Sequence, residues 1–147
     1  MNRRSLIIGL ALVRLSVPTF ASTVHGTLYK DRNCPCCEGH ARYLKANGID
    51  VDVVPVDDIA AISRKAGIPS DYQGCHTIIL DGDGYVVEGH VSAELIRKLL
   101  RERPRDVIGI SLPGMPVGVP GMAGEKIGPY EVLAIHRDGK ASVFAIE

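Results

Sequence analysis

Three of the chain's four cysteines fall within four consecutive positions, Cys34-Pro35-Cys36-Cys37. Sulfurs crowded into one turn cannot staple distant parts of a fold, and a disulfide framework would spread them out. The fold must therefore rest on an ordinary apolar core. With 147 residues, 46% of them apolar, the chain can supply one. Seventeen basic and seventeen acidic side chains cancel, leaving no net field to draw in nucleic acid or an anionic membrane surface.

The turn sits between a strand pattern and a helix pattern. Val24 to Tyr29 is a short apolar stretch, followed by the polar turn Lys30 to Asn33. A helix is expected from Cys34: Asn33 or Cys34 can cap it, Pro35 fits its first turn, and Glu38 suits its positive end. It stops at Asn47-Gly48. Val51 to Val56 reads as a second strand, parallel to the first because a helix separates them. Asp57 or Asp58 then caps a shorter helix through Ala66, which Gly67 and Pro69 end.

Thr77 to Leu80 and Tyr85 to Glu88 flank Asp81-Gly82-Asp83-Gly84 as a hairpin. Ser92 caps a helix from Ala93 to Glu102 that carries Leu95, Ile96, Leu99 and Leu100. The result is an α/β domain in the order β-α-β-α-β-β-α, the order of a thioredoxin-like core. Ser111 to Pro129 is rich in glycine and proline, repeats Pro-Gly-Met at 113–115 and 120–122, and has no period, so it reads as a functional loop. A C-terminal hairpin, Tyr130 to His136 and Ala141 to Ile146, closes the chain.

The first residues read as an export signal: Arg3 and Arg4, the apolar run Leu6 to Val13, and Thr19-Phe20-Ala21 before a cut. Arg14 is a charge at the edge of that apolar run. Residues 1–21 are thus assigned to the signal peptide and 22–147 to the mature domain, with no membrane anchor after cleavage, since the apolar run is too short to span a bilayer.

Cys34 and Cys37 have the spacing of a redox CxxC pair, and side chains three apart meet on one helical turn. A thiol at a helix start faces free backbone N–H groups, which favour thiolate. Thiolate serves both disulfide exchange and soft-metal binding. Cys36 tilts the balance: it is surplus to a two-thiol exchange, whereas every added thiolate strengthens a soft-metal site. Copper(I), as one ion or several bridged by thiolates, is the first choice, with an exported thiol–disulfide oxidoreductase using Cys34 and Cys37 as the alternative. A structural zinc module is a third class.

Cys75-His76 precedes a strand that the expected topology brings beside the turn, so both join the candidate ligands. A disulfide from Cys75 to a loop cysteine is the competing outcome. Met115 and Met122, in the Pro-Gly-Met repeat, add thioethers, which select copper(I) over zinc, and Val117, Val119 and the prolines could shield the site. His90, between a strand end and a helix cap, is a further ligand candidate. His40 could face the site by its helical spacing, yet it reads first as an exposed helix histidine. His25 and His136 read as surface or strand residues.

Cys34-Pro35-Cys36-Cys37, Cys75-His76-Thr77, Val87-Glu88-Gly89-His90-Val91 and the stretch from Pro113 through Met122 together resemble the small exported metal-binding proteins typified by the CopG copper-resistance protein, a family long filed as a domain of unknown function. The resemblance runs from about Thr27 to the C-terminus. It implies a thioredoxin-like fold in the periplasm, copper held by Cys34, Cys36, Cys37, Cys75, His76, His90, Met115 and Met122, and a redox role on copper as a further function. Another periplasmic copper-handling protein is the implied partner beside the metal itself. Pro35 stands where the family often has glycine, giving the Cys-Pro-x-Cys of glutaredoxins and adding weight to the redox alternative.

Overall fold

The computed structural model describes residues 23–147; the signal-peptide assignment lies outside the described residues. Among the described residues, seven strands form one sheet in the order β2-β1-β3-β4-β5-β6-β7. The expected β-α-β-α-β-β-α series comes first among the described residues. β1 (Val24–Asp31), α1 (Pro35–Ala46) and β2 (Ile49–Val56) make a parallel unit, followed by α2 (Ile59–Lys65), the antiparallel strands β3 (His76–Leu80) and β4 (Val86–Glu88), and α3 (Ala93–Glu102). None of the helices among the described residues is long and apolar enough to cross a membrane.

Local chemistry explains these elements. In β1, Gly26, Leu28 and Lys30 are the buried positions, the period of two that a half-covered strand requires. α1 buries Cys37, His40, Ala41 and Leu44, spaced by three, one and three, which is a single helical stripe. Asp58 caps α2 by accepting from the Ala61 N–H at 2.9 Å, and Ser92 caps α3 by accepting from the Leu95 N–H at 3.3 Å. α3 lays Leu95, Ile96 and Leu99 on the sheet, each burial stabilising by about 1.5–3 kcal/mol.

The sequence reading left out one strand. β5 (Val107–Ser111) runs parallel to β4 in mid-sheet. Gly109 interrupts its apolar pattern for a steric reason: a Cβ there would lie 2.1 Å from the Val86 carbonyl oxygen. β5 then receives β6 (Glu131–His136), and β6 receives β7 (Ala141–Ile146). The C-terminal hairpin is therefore an extension of the one sheet.

Candidate metal and thiol centre

β1 delivers the chain to the turn. The Cys34 N–H donates to the Asp31 carbonyl at 3.2 Å and the Asn33 N–H to the Asp31 carboxylate at 2.8 Å, so Asp31 bends the backbone before Pro35 starts the helix. Cys34 occupies the cap position but makes no capping hydrogen bond with its side chain; its sulfur is used elsewhere. It is bonded to Cys37 as a disulfide, while Cys36 and Cys75 are free thiols. Lys30, expected in a polar turn, is the last buried residue of β1, with its ammonium 3.2 Å from the Glu38 carboxylate.

β3 pairs antiparallel with β1, setting His76 opposite Lys30. This register carries Cys75 to the mouth of the turn. Its Sγ lies 3.7 Å from that of Cys37, and Cys36 Sγ lies 3.3 Å from Cys34 Sγ. All four sulfurs fall within 4.8 Å of one another. Burial first, and then the neighbouring Cys36, push the Cys75 thiol up to about 12, so without a metal it holds its proton.

Glu88, fully buried on β4, fixes this turn. Its carboxylate accepts from the Gly74 N–H at 2.9 Å, the Thr77 hydroxyl at 2.8 Å and the Ser63 hydroxyl at 3.1 Å. Burial raises its pKa while those three donors pull it back. Glu88 thus ties the residue before Cys75 to the sheet, a role the sequence did not disclose.

Behind the sulfurs stand three imidazoles. His40, His76 and His90 are 0%, 0% and 1% exposed, and their ring centroids lie 4.8–4.9 Å apart. His40 is therefore no exposed helix residue. Position 40 lies on the stripe of α1 that faces the sheet, and the polar ring is tolerated there because both nitrogens are hydrogen-bonded, Nε2 to the Val91 carbonyl at 2.9 Å and Nδ1 to His76 Nε2 at 2.7 Å. His76 Nδ1 is 3.2 Å from Cys75 Sγ. Burial, then the proximity of His90, drops His40 to about 3. Burial, then His40 and His90, takes His76 well below the ordinary histidine range, and burial lowers His90. All three rings are neutral at ordinary pH.

His90 donates from Nδ1 to the Pro120 carbonyl at 2.8 Å, while its buried Nε2 has no partner among the described residues. One ring nitrogen of His90, the Cys75 sulfur and one nitrogen of His76 lie within 4.8 Å of one another. A buried unpaired acceptor is costly, and a soft or borderline cation would satisfy it. The donor set thus suits a thiophilic metal: two free thiols, four once the Cys34–Cys37 disulfide is reduced, on one side, and two imidazole nitrogens on the other.

The Pro-Gly-Met loop covers this centre. Val119 is 1% exposed, and Met122 is half-buried against the apolar core that contains Cys37 and Val119, the same core on which Cys34, Cys36 and Cys75 pack. The loop reaches α1 because two glycines meet. A Cβ on Gly39 would lie 2.2 Å from the Gly121 oxygen, and one on Gly121 would lie 2.4 Å from the His40 nitrogen. Met115 and Val117, in contrast, are 58% and 48% exposed, so the structure does not enclose either of them in the centre. His25 and His136 lie on β1 and β6, as expected, but each has a carboxylate partner, Asp81 at 2.7 Å and Asp106 at 2.9 Å.

A cleft of about 320 Å³ lined by Lys30, Arg32, Asn33, Cys34, Pro35 and Glu38 gives an approach to Cys34. The larger cleft of about 820 Å³, beside Arg103, Arg105 and Arg137, shares no residue with the sulfurs.

Two solved structures, both named Copper resistance protein copG (Form 1 and Form 2), match the chain with 38% identity and a TM-score of 0.76. The matches cover 85% and 84% of this chain and 98% of each of theirs. The chain belongs to the CopG family. A family described as "Protein of unknown function, DUF411" also matches, over residues 72–122, and no curated protein matches. The match over 72–122 contains Cys75, His76, Glu88, His90, Met115 and Met122 but not the Cys-Pro-Cys-Cys turn. The two CopG structures match a larger share of the chain, 85% and 84% of it.

Proposed function

We propose that this chain is a periplasmic copper(I)-binding protein of copper resistance. The observation that carries the reading is the convergence of Cys34, Cys36, Cys37 and Cys75, from two separate segments, to within 4.8 Å. Thiolates in this number favour a soft monovalent ion and can bridge more than one. His76 and His90 stand beside them with nitrogen donors, and half-buried Met122 is the thioether we assign to the set. Met115, out in solvent, is not in the proposed set. The names of the two CopG structures support copper as the cargo, and the basic and apolar pattern of residues 1–21 supports export.

The disulfide gives a specific reason to keep the second reading, a thiol–disulfide oxidoreductase working through Cys34 and Cys37. Two electrons and two protons convert that bond into two thiols. Reduction therefore enlarges the set of ligating sulfurs from two to four, and a redox function and a metal function share the same atoms. Cys34, beside its charged cleft, is the sulfur that an external thiol would attack in this form and, once reduced, the one that would attack an external disulfide.

The test is anaerobic titration of the fully reduced domain with copper(I) against a chromophoric competitor. Tight uptake, lost when Cys34 and Cys37 are both replaced by serine, is expected. Uptake of zinc in preference to copper(I), or full stoichiometry in that double variant, would sink the reading.

A further inference from the structure

The directions of the hydrogen bonds behind Cys75 follow from one fixed end. A carbonyl oxygen only accepts, so the contact between the Val91 carbonyl and His40 Nε2, 2.9 Å, places the His40 proton on Nε2. A neutral imidazole has a single N–H, which leaves His40 Nδ1 as an acceptor. His76 Nε2, 2.7 Å away, must then be the donor. The lone pair of His76 is consequently on Nδ1, the atom 3.2 Å from Cys75 Sγ. Three links run in one sense, from the Cys75 thiol through His76 and His40 to the Val91 carbonyl.

We propose that His40 is a positioning residue that locks the tautomer and ring plane of His76, so that an unprotonated Nδ1 always faces the Cys75 sulfur. His40 is itself held. It lies on α1 three residues beyond Cys37, is fully buried, and has the Tyr43 ring stacked near it at 6.0 Å and 13°. No other described contact serves His76 Nε2. Without His40 that nitrogen would be a buried N–H with no acceptor, and moving the proton to Nδ1 would turn the wrong edge toward the sulfurs. A ligating imidazole works through one nitrogen while the other is fixed by an outer partner; here the outer partner is a second imidazole, anchored on a strand-to-helix carbonyl.

Long-range proton–nitrogen correlation spectra of the ¹⁵N-labelled, metal-free domain read the tautomer directly. His76 and His40 should both appear as Nε2–H forms. In His40→Leu, His76 should lose that single form. In His40→Gln it should keep it, because an amide oxygen can accept from His76 while the amide N–H donates to Val91. The copper arm rests on the function proposed above: His40→Leu should weaken copper(I) binding roughly tenfold or more, the scale of losing an outer partner, with His40→Gln nearer to the parent. A Nδ1–H form of His76 in the parent protein, or a tautomer indifferent to His40→Leu, overturns the proposal. So does equal copper affinity in the leucine and glutamine variants. A domain that takes up no copper at all would end the copper reading, and the spectra would still decide the role of His40.

Discussion

Cys34 and Cys36 lie half-buried at the start of a helix, whereas His40, His76 and His90, just behind them, are closed off from water. The two regions share Cys75, which touches Cys37 on one side and His76 on the other. The sulfur side can meet reagents and change its bonding. The imidazole side is held by carbonyls and by neutral-ring hydrogen bonds that burial enforces. One region therefore exchanges, and the other holds its geometry while exchange happens.

The sharpest way to break this comparison is on the sulfur side. Replacing both Cys34 and Cys37 with serine should abolish copper(I) uptake while leaving the thermal midpoint of the metal-free domain near that of the reduced parent. Calorimetry together with metal analysis checks both halves.

The imidazole side should answer to acid instead. His40 has a folded-state pKa near 3 against 6.5 when unfolded, and His76 and His90 shift in the same direction. The unfolded chain thus takes up protons that the folded chain refuses. The stability present above pH 6.5 is lost as pH falls from 6.5 toward 3, with His40 alone contributing several kcal/mol. Urea midpoints recorded across that range should decline steadily, and a flat profile would contradict buried neutral rings.

Glu88→Gln probes the tie between the regions. It sets an amide N–H against groups that donate to the carboxylate, and should cost about 1–3 kcal/mol in urea unfolding while making Cys75 faster to alkylate. The smallest effect belongs to the loop. Met122→Leu should weaken copper(I) binding by about threefold, a loss of under 1 kcal/mol, and Met115→Leu should leave it unchanged in the same competition assay.

Much of this arrangement was legible in the chain. The cysteine turn, the helix it opens, and the placement of Cys75-His76 beside it followed from capping residues and from a strand order with few alternatives. β5 escaped because Gly109 breaks its pattern, and that glycine reflects a close approach to Val86 that only the assembled sheet reveals. His40 was misjudged for a related reason. Its position fits the buried stripe of α1, but a titratable ring is ordinarily assigned to solvent unless its partners are known, and those partners, His76 and Val91, are 36 and 51 residues away. Met115 and Met122 share an identical local motif, so only the tertiary fold could distinguish them.

The cover over the centre leaves the sheet at Ser111 and returns at Glu131, and these ends belong to strands that are immediate neighbours, with Ser111 facing Leu133. In construction it is an oversized hairpin turn. Residues 112–130 could then be swapped for a short connection that, with Glu131 and Val132, closes a hairpin loop and keeps Ser111 opposite Leu133. The shortened protein would present its sulfurs uncovered, separating what the roof contributes from what the scaffold beneath it contributes.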